Sequence, residues 1–291
     1  MNLQGSWADG ISSNWNGDYH LNINLQMMYW PAEIAGLGLE VAPALVQFLA
    51  KLRVKGTVTA KQLYDAPGWV AHGFTDGYLN AGVLGALCWS YCVSCGAWAS
   101  LALWEHVAFA PTDAPSAQAA MQELLLSFRG TAEFYLQTFA IVNNTRGESE
   151  YHTGPSGSPE NSYMTEPKHS INQLAMSPAI DISVLRDVAL AYTAALDFLQ
   201  ASKSSQYGDL TQHASISNKF IDAIKRLPNK SVPVIGSTGK IAEYPNPYGM
   251  PSDSKDFVEA NEIDWGHRHW SGMHWLYPAS FAQPSLKAES P

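Results

Sequence analysis

The chain has 291 residues, with 17 Lys and Arg against 26 Asp and Glu, a net charge of −9. That balance excludes a phosphate-backbone binder, which needs a basic face, and a hydrophobic content of 46% excludes a disordered chain. Charged residues make up 15%, below the ~25% of typical soluble domains, so much of the polar surface falls to Ser, Thr, Asn, Gln and Gly.

In chain order, residues 1–20 are rich in Gly, Asn, Asp and Trp and read as loop. A helix begins at Leu25 and is broken near Pro31 and Gly36. Val41, Leu45, Phe48, Leu49 and Leu52 repeat at helical spacing, and Gly56 is expected to end that helix. Thr59-Ala60-Lys61-Gln62 reads as a capping box that opens a short new helix, stopped by Pro67-Gly68. Gly85 to Phe109 is predicted as one long helix. No charged residue occurs from Gly77 to Trp104, which fits a transmembrane helix by length. The acidic flanks Asp76 and Glu105 and the polar residues within favour a helix buried on all sides, so no membrane span is expected.

Met121, Leu124, Leu125, Phe128, Ala132, Tyr135, Leu136 and Phe139 place the next helix over Ala117 to Phe139. Residues 143–176 are a long polar segment without apolar period, the kind of loop that is functional or disordered. Ser177-Pro178 is expected to supply an N-cap and first helical residue, followed by a stripe from Ile182 to Leu199 and another helix over Ile216 to Leu227. Pro228 to Trp265 is rich in Pro and Gly, with a hairpin expected around Gly236–Gly239. Residues 266–277 resume a helix, and 284–291 form an unstructured tail. No strand alternates with helices and no linker divides the chain, so the expectation is one mainly α domain over 1–283.

Four groups could carry chemistry. In Asp18-Tyr19-His20-Leu21-Asn22-Ile23-Asn24 the polar residues alternate with apolar ones. An extended segment would point His20, Asn22 and Asn24 to one side, where they could orient a hydroxyl or a water. A polar edge or a cap for the following helix fits the same spacing, and spacing alone favours it. Gly154-Pro155-Ser156-Gly157-Ser158-Pro159-Glu160-Asn161 is a stiff loop with one acid, Glu160. Held against aromatics, that carboxyl could act as a general acid; exposed, it is a solvated surface group. His267, His269 and His274 invite a zinc reading or, equally, sugar hydroxyls; no Cys lies nearby and H-E-x-x-H is absent. Cys88, Cys92 and Cys95 have the spacing of an iron–sulfur ligand set, but an apolar helical segment makes buried small residues the commoner explanation, and an odd count cannot form a complete disulfide framework. The 10 Trp, 13 Tyr and 10 Phe fill a core or match the C–H faces and hydroxyl rims of sugars.

Taken in order, these pieces resemble the catalytic domain of glycoside hydrolase family 95, the inverting 1,2-α-L-fucosidases. The carriers are Asn2-Leu3-Gln4-Gly5-x-Trp7, Asp18 to Asn24 with Met28-Tyr29-Trp30-Pro31-Ala32-Glu33, Gly68-Trp69-Val70-Ala71-His72, Trp104-Glu105-His106, Ser158-Pro159-Glu160-Asn161, Asp181 with Leu185-Arg186, and His267-Arg268-His269. The resemblance implies an (α/α)6 toroid with the sugar site where the polar loops meet. It implies Glu160 as general acid and a water held by Asn22 and Asn24 and polarised by a later aspartate. It also implies contacts to the fucose hydroxyls from His20, His72, Arg268 and His269, with Trp69 stacking on the ring. Such a mechanism fits inversion, which needs a water on the face opposite the acid.

The partner so implied is a fucosylated oligosaccharide or glycan, with no cofactor and no metal. L-Galactose differs from L-fucose by a 6-hydroxyl, so α-L-galactosidase is the neighbouring activity; a remnant that binds sugar without turnover is another. Departures from the family pattern are Gly272, where a polar residue is usual, and the absence of the N-terminal β-sandwich and of a Q-I-D-G-N-type segment after Pro278. The toroid is therefore expected to be incomplete, with the base aspartate missing and exposed apolar faces that favour oligomers. Family members are typically secreted or surface-bound, but no leader pattern follows Met1.

Overall fold

The computed structural model describes residues 10–12, 14–165, 170–203, 206–228, 241–254 and 261–262, with 235, 239, 267, 269 and 274 singly. After a 3-10 turn at Asn14–Gly17 come β1 (Tyr19–His20), α1 (Asn24–Tyr29), α2 (Gly38–Tyr64), β2 (Phe74–Thr75), α3 (Leu87–Ser90), α4 (Cys95–Phe109) and α5 (Pro115–Thr138). Then follow β3 (Ala140–Asn143), β4 (Ser149–His152), β5 (Tyr163–Thr165), β6 (Ser170–Asn172), α6 (Ala179–Ala201), α7 (Thr211–Ile224) and β7 (Asn261–Glu262). The described residues are helix-rich, as expected, and α5 packs against α2, α4, α6 and α7. The strands form three small antiparallel sheets, β1-β2, β3-β4 and β6-β5-β7.

Several expectations are corrected. The helix does not end at Gly56: α2 runs on to Tyr64, and Thr59 to Gln62 lie inside it. Gly56 is there for close approach, since a Cβ would lie 2.7 Å from the Val70 carbonyl oxygen and 2.8 Å from Trp69 Cε3. Asp65 in a left-handed conformation ends the helix, its N–H bonded to carbonyls of the last turn. The uncharged segment is two helices rather than one. Between α3 and α4 the carbonyls of Ser90 and Tyr91 accept from Gly73 N and Gly157 N, both at 2.8 Å, and Val93 N donates to Ser156 Oγ at 3.1 Å. Tertiary bonds there replace the helical ones. The stretch Leu87–Phe109 is long and apolar enough to cross a membrane, yet most of it is buried, and α4 packs on α1, α2, α5 and α6.

The polar segment 143–176 is not structureless. Asn144 Oδ1 accepts from the N–H groups of Arg146 and Glu148, closing the β3-β4 hairpin, and β5 pairs with β6. Ser177 does not cap α6. Pro178 occupies the cap position, and the Ser177 hydroxyl instead accepts from Thr153 N at 3.1 Å. The expected hairpin near Gly236 is represented by an antiparallel bridge between Ile235 and Ile241. The tail 284–291 and most of 266–277 lie outside the described residues.

Trp69 joins three helices. Its indole N–H donates to Ser127 O at 2.8 Å, and a Cβ at Gly56, Gly96 or Gly130 would come within 2.7–2.9 Å of its ring. Trp69→Ala is expected to destabilise the fold by about 3–5 kcal/mol, read from denaturant midpoints. Between α1 and α4, Glu33 Oε1 lies 2.7 Å from His106 Nδ1. Burial, and then the Glu33 charge, push Glu105 up to about 7. A folded-state value above the unfolded one stabilises below about 4.5, and that contribution is lost as pH rises through about 7. Glu105→Gln should therefore gain stability relative to the parent between pH 4.5 and 7, by up to roughly 3 kcal/mol. Equal unfolding free energies for the two at pH 8 would show that Glu105 is not perturbed.

Candidate active site

A cleft of about 530 Å³ opens beside the β1-β2 pair, lined among others by Trp15, Asp18, His20, Phe74, Trp89 and Glu160. The register sets His20 opposite Phe74, and their rings stack with centroids 4.1 Å apart. His20 Nδ1 lies 2.6 Å from Asp18 Oδ1, which fixes the imidazole from behind. Burial raises the Asp18 carboxyl above its usual range, against the lowering influence of His20.

The alternation expected for His20, Asn22 and Asn24 is not realised. Leu21 N bonds to Gly73 O at 2.7 Å, the chain then turns, and Asn24 is already the first residue of α1. The turn forces Ile23 to φ 153, an outlier for a β-branched residue. Asn22 is thereby fully buried and its Nδ2 donates to Glu160 Oε1 at 3.1 Å. Glu160 is also held left-handed, at φ 53, in a turn closed by Asn161 N and Ser158 O. Its other carboxylate oxygen lies 3.3 Å from His269 Nε2, and His267 Nε2 lies 3.1 Å from Pro159 O. The pairing of β7 with β5 brings the chain before these histidines alongside the Glu160 loop.

The structure thus brings Asn22, Glu160 and His269 together, and Glu160 shares its cleft with His20. Trp69 and His72 are elsewhere. Trp69 is a core residue with its N–H already used, so stacking on a sugar is corrected to helix packing. His72 is fully buried, with Nε2 3.1 Å from Tyr64 Oη, which in turn donates to Tyr91 Oη at 3.0 Å. Burial takes His72 down to about 4, a neutral ring bonded within the core rather than a ligand to an incoming hydroxyl. Arg268 lies outside the described residues.

The three histidines do not converge. The rings of His267 and His269 are 5.4 Å apart, while His274 is buried against Trp98 and pushed down to about 3 by that burial. Among the described residues no group of three His, Cys, Asp or Glu is arranged to hold a metal ion. The cysteines do not form a three-thiolate set either. Cys92 and Cys95 are joined by a disulfide, and Cys88 is a half-buried free thiol.

Sequence reasoning missed Trp15, Phe74 and Trp89 as cleft residues. The only signal was aromatic abundance, since none of them sits in a periodic pattern. It also missed Glu243, whose carboxylate accepts from Ser158 Oγ and Asn161 Nδ2 on either side of Glu160.

A carboxyl presented by a stiff loop beside an aromatic cleft, with an amide and imidazoles around it, sets hydrogen-bonding groups next to apolar ring faces, a surface that suits a sugar. Comparison with known proteins makes the class specific. The family model described as the glycosyl hydrolase family 95 catalytic domain matches residues 1–290, and the chain belongs to that family. It is 30% identical over 278 residues to "Alpha-L-fucosidase 2" of Arabidopsis thaliana, covering 95% of this chain and 29% of that protein. It is 25% identical over 279 residues to "Probable alpha-fucosidase A" of Aspergillus niger, covering 95% and 31%. Over 72 residues, 24% of this chain and 10% of the other, it is 46% identical to "Probable alpha-fucosidase A" of Aspergillus oryzae. The chain thus spans about three tenths of the two relatives it matches over most of its length.

The disulfide can be checked directly. In the native protein one cysteine should react with iodoacetamide, and all three should react after reduction and unfolding. Labelling of three thiols without a reductant would rule the pair out.

Proposed function

We propose that this chain carries the acid side of an inverting α-L-fucosidase site, built on part of an (α/α)6 toroid. The observation that supports it most is the bond between Asn22 and Glu160 at the edge of the aromatic cleft, in a chain of family 95. Glu160 donates a proton to the departing glycosidic oxygen. Asn22 and Asn24 orient the attacking water, and Asn22 Oδ1, buried and without a hydrogen-bond partner among the described residues, is the acceptor placed to hold it. His20, Arg268 and His269 take the sugar hydroxyls, and Trp15, Phe74 and Trp89 offer faces to its C–H surface.

Inversion needs the acid and the water-activating side about 6.5–9.5 Å apart. The sugar ring must therefore enter between Asn22 and Glu160 and break their 3.1 Å bond. Fucose linked α at the non-reducing end of a glycan is the substrate so implied, since the relatives matched over most of the chain are named for α-fucosidase activity.

The test is release of fucose from 2′-fucosyllactose, followed by proton NMR, by the purified chain and by Glu160→Gln. β-L-Fucose is expected as the first product, with the rate in the variant lower by about 10²–10⁴-fold. α-L-Fucose as first product would refute inversion. A folded chain that binds L-fucose without releasing it would favour sugar binding without turnover. Preference for an α-L-galactoside would place a contact to the 6-hydroxyl in the cleft.

A further inference from the structure

Glu160 sits in a left-handed backbone conformation that an L-residue adopts only at a cost, so something must hold it. The bonds that do so come from a segment 82–85 residues further along the chain. Ser158 Oγ donates to one oxygen of the Glu243 carboxylate and Asn161 Nδ2 to the other. Ser158, Asn161 and Glu243 are all buried. These donors lie two residues before and one residue after Glu160, so a single carboxylate grips both ends of its turn.

Glu243 is itself rooted. Its backbone carbonyl accepts from Ala179 N, the first residue of α6, at 2.9 Å. Tyr244 beside it is fully buried against Tyr163, with centroids 4.7 Å apart. The clamp therefore ties the turn to the start of a core helix. Each donor here has its own carboxylate oxygen. Glutamine has a single acceptor oxygen, so it can keep Asn161 only by turning its N–H toward the Ser158 hydroxyl, and both contacts lose the charge that strengthens them. Aspartate keeps both oxygens but falls one methylene short.

We infer that Glu243 is a positioning residue: acting through Ser158 and Asn161, it holds Glu160 where the glycosidic oxygen can take its proton. The inference rests on the reading of Glu160 as the general acid. A displaced acid slows the departure of a poor leaving group and leaves that of a good one nearly untouched, because only the former needs the proton.

The test compares the parent chain with Glu160→Gln, Glu243→Gln, Glu243→Asp and Ser158→Ala, each checked for folding by near-ultraviolet circular dichroism. Two substrates are used: 2′-fucosyllactose, whose sugar alkoxide needs protonation, and 2-chloro-4-nitrophenyl α-L-fucoside, whose phenolate does not. Sodium azide is present throughout. As an anion it attacks C1 without a base while the C1–O bond breaks. The products are β-L-fucosyl azide and the released lactose or phenolate, so the assay reports the acid alone.

Glu243→Gln is expected to lower kcat on 2′-fucosyllactose by about 10–100-fold, with KM within about twofold and the aryl fucoside within about threefold. Glu243→Asp should fall between, and Ser158→Ala, which removes one arm of the clamp, should show the same split and carries the test if Glu243→Gln does not fold. Equal losses on both substrates, or no loss, overturn the inference if Glu160→Gln shows the split. If Glu160→Gln shows no split, or the parent turns over neither substrate with azide, the acid assignment fails and the role of Glu243 falls with it.

Discussion

The carboxylate of Asp181 is the point from which the site is hung. It is fully buried in the first turn of α6 and accepts hydrogen bonds from Ser94 Oγ at 2.6 Å, Thr153 Oγ1 at 3.0 Å and Ser156 Oγ at 3.2 Å. Those hydroxyls belong to the turn before α4, the residue after β4 and the loop leading to Glu160. Burial drives Asp181 up to about 6 and the three hydroxyls pull it back. The helix N-terminus favours the same negative charge. A polar loop has no periodic structure to hold it, so side-chain bonds to one buried acceptor substitute for a ladder. Ser156 does this twice, since its hydroxyl also accepts from Val93 N.

The aromatic residues divide between two tasks. Trp69 and Trp98 are buried and lock helices together, whereas Trp15 and Trp89 remain about half exposed at the cleft. Sequence position does not separate the groups. The family resemblance implied that Trp69 stacks on the sugar ring, yet it serves the packing of α2, α4 and α5. The small residues decide the matter: glycine at 56, 96 and 130 lets three helix backbones close on one indole, and a ring so enclosed has no face left for a ligand.

That division shows what could be read from residues alone. Long helices were legible because their apolar stripes repeat over many turns, as in α5 and α6. Glu160, Asn22 and His269 were legible through motif resemblance, and the structure puts them in contact. The break between α3 and α4 was not legible, because the bonds that cause it come from Gly73 and Gly157, far away in sequence. The short hairpins carry too few residues for a period of two to register. Gly56 was misread for a related reason: glycine signals either a helix end or a close approach, and only the position of Trp69 distinguishes them. Glu243 had no local signature, since its partners stand more than eighty residues earlier.

Strain links the two halves of the site. Ile23 and Glu160 are both non-glycine residues at positive φ, and they adjoin the two ends of the single bond from Asn22 to Glu160. Each conformation costs roughly 1–3 kcal/mol, and one hydrogen bond returns about 0.5–1.5 kcal/mol. That bond cannot hold both alone. The remainder comes from behind: Leu21 is bonded to Gly73 and Gln26 on one side, and the Ser158 and Asn161 bonds to Glu243 hold the other. Amide and carboxyl are therefore set by the scaffold rather than by each other. The proposed entry of a sugar ring between them would break that one bond and leave the bonds behind each group in place.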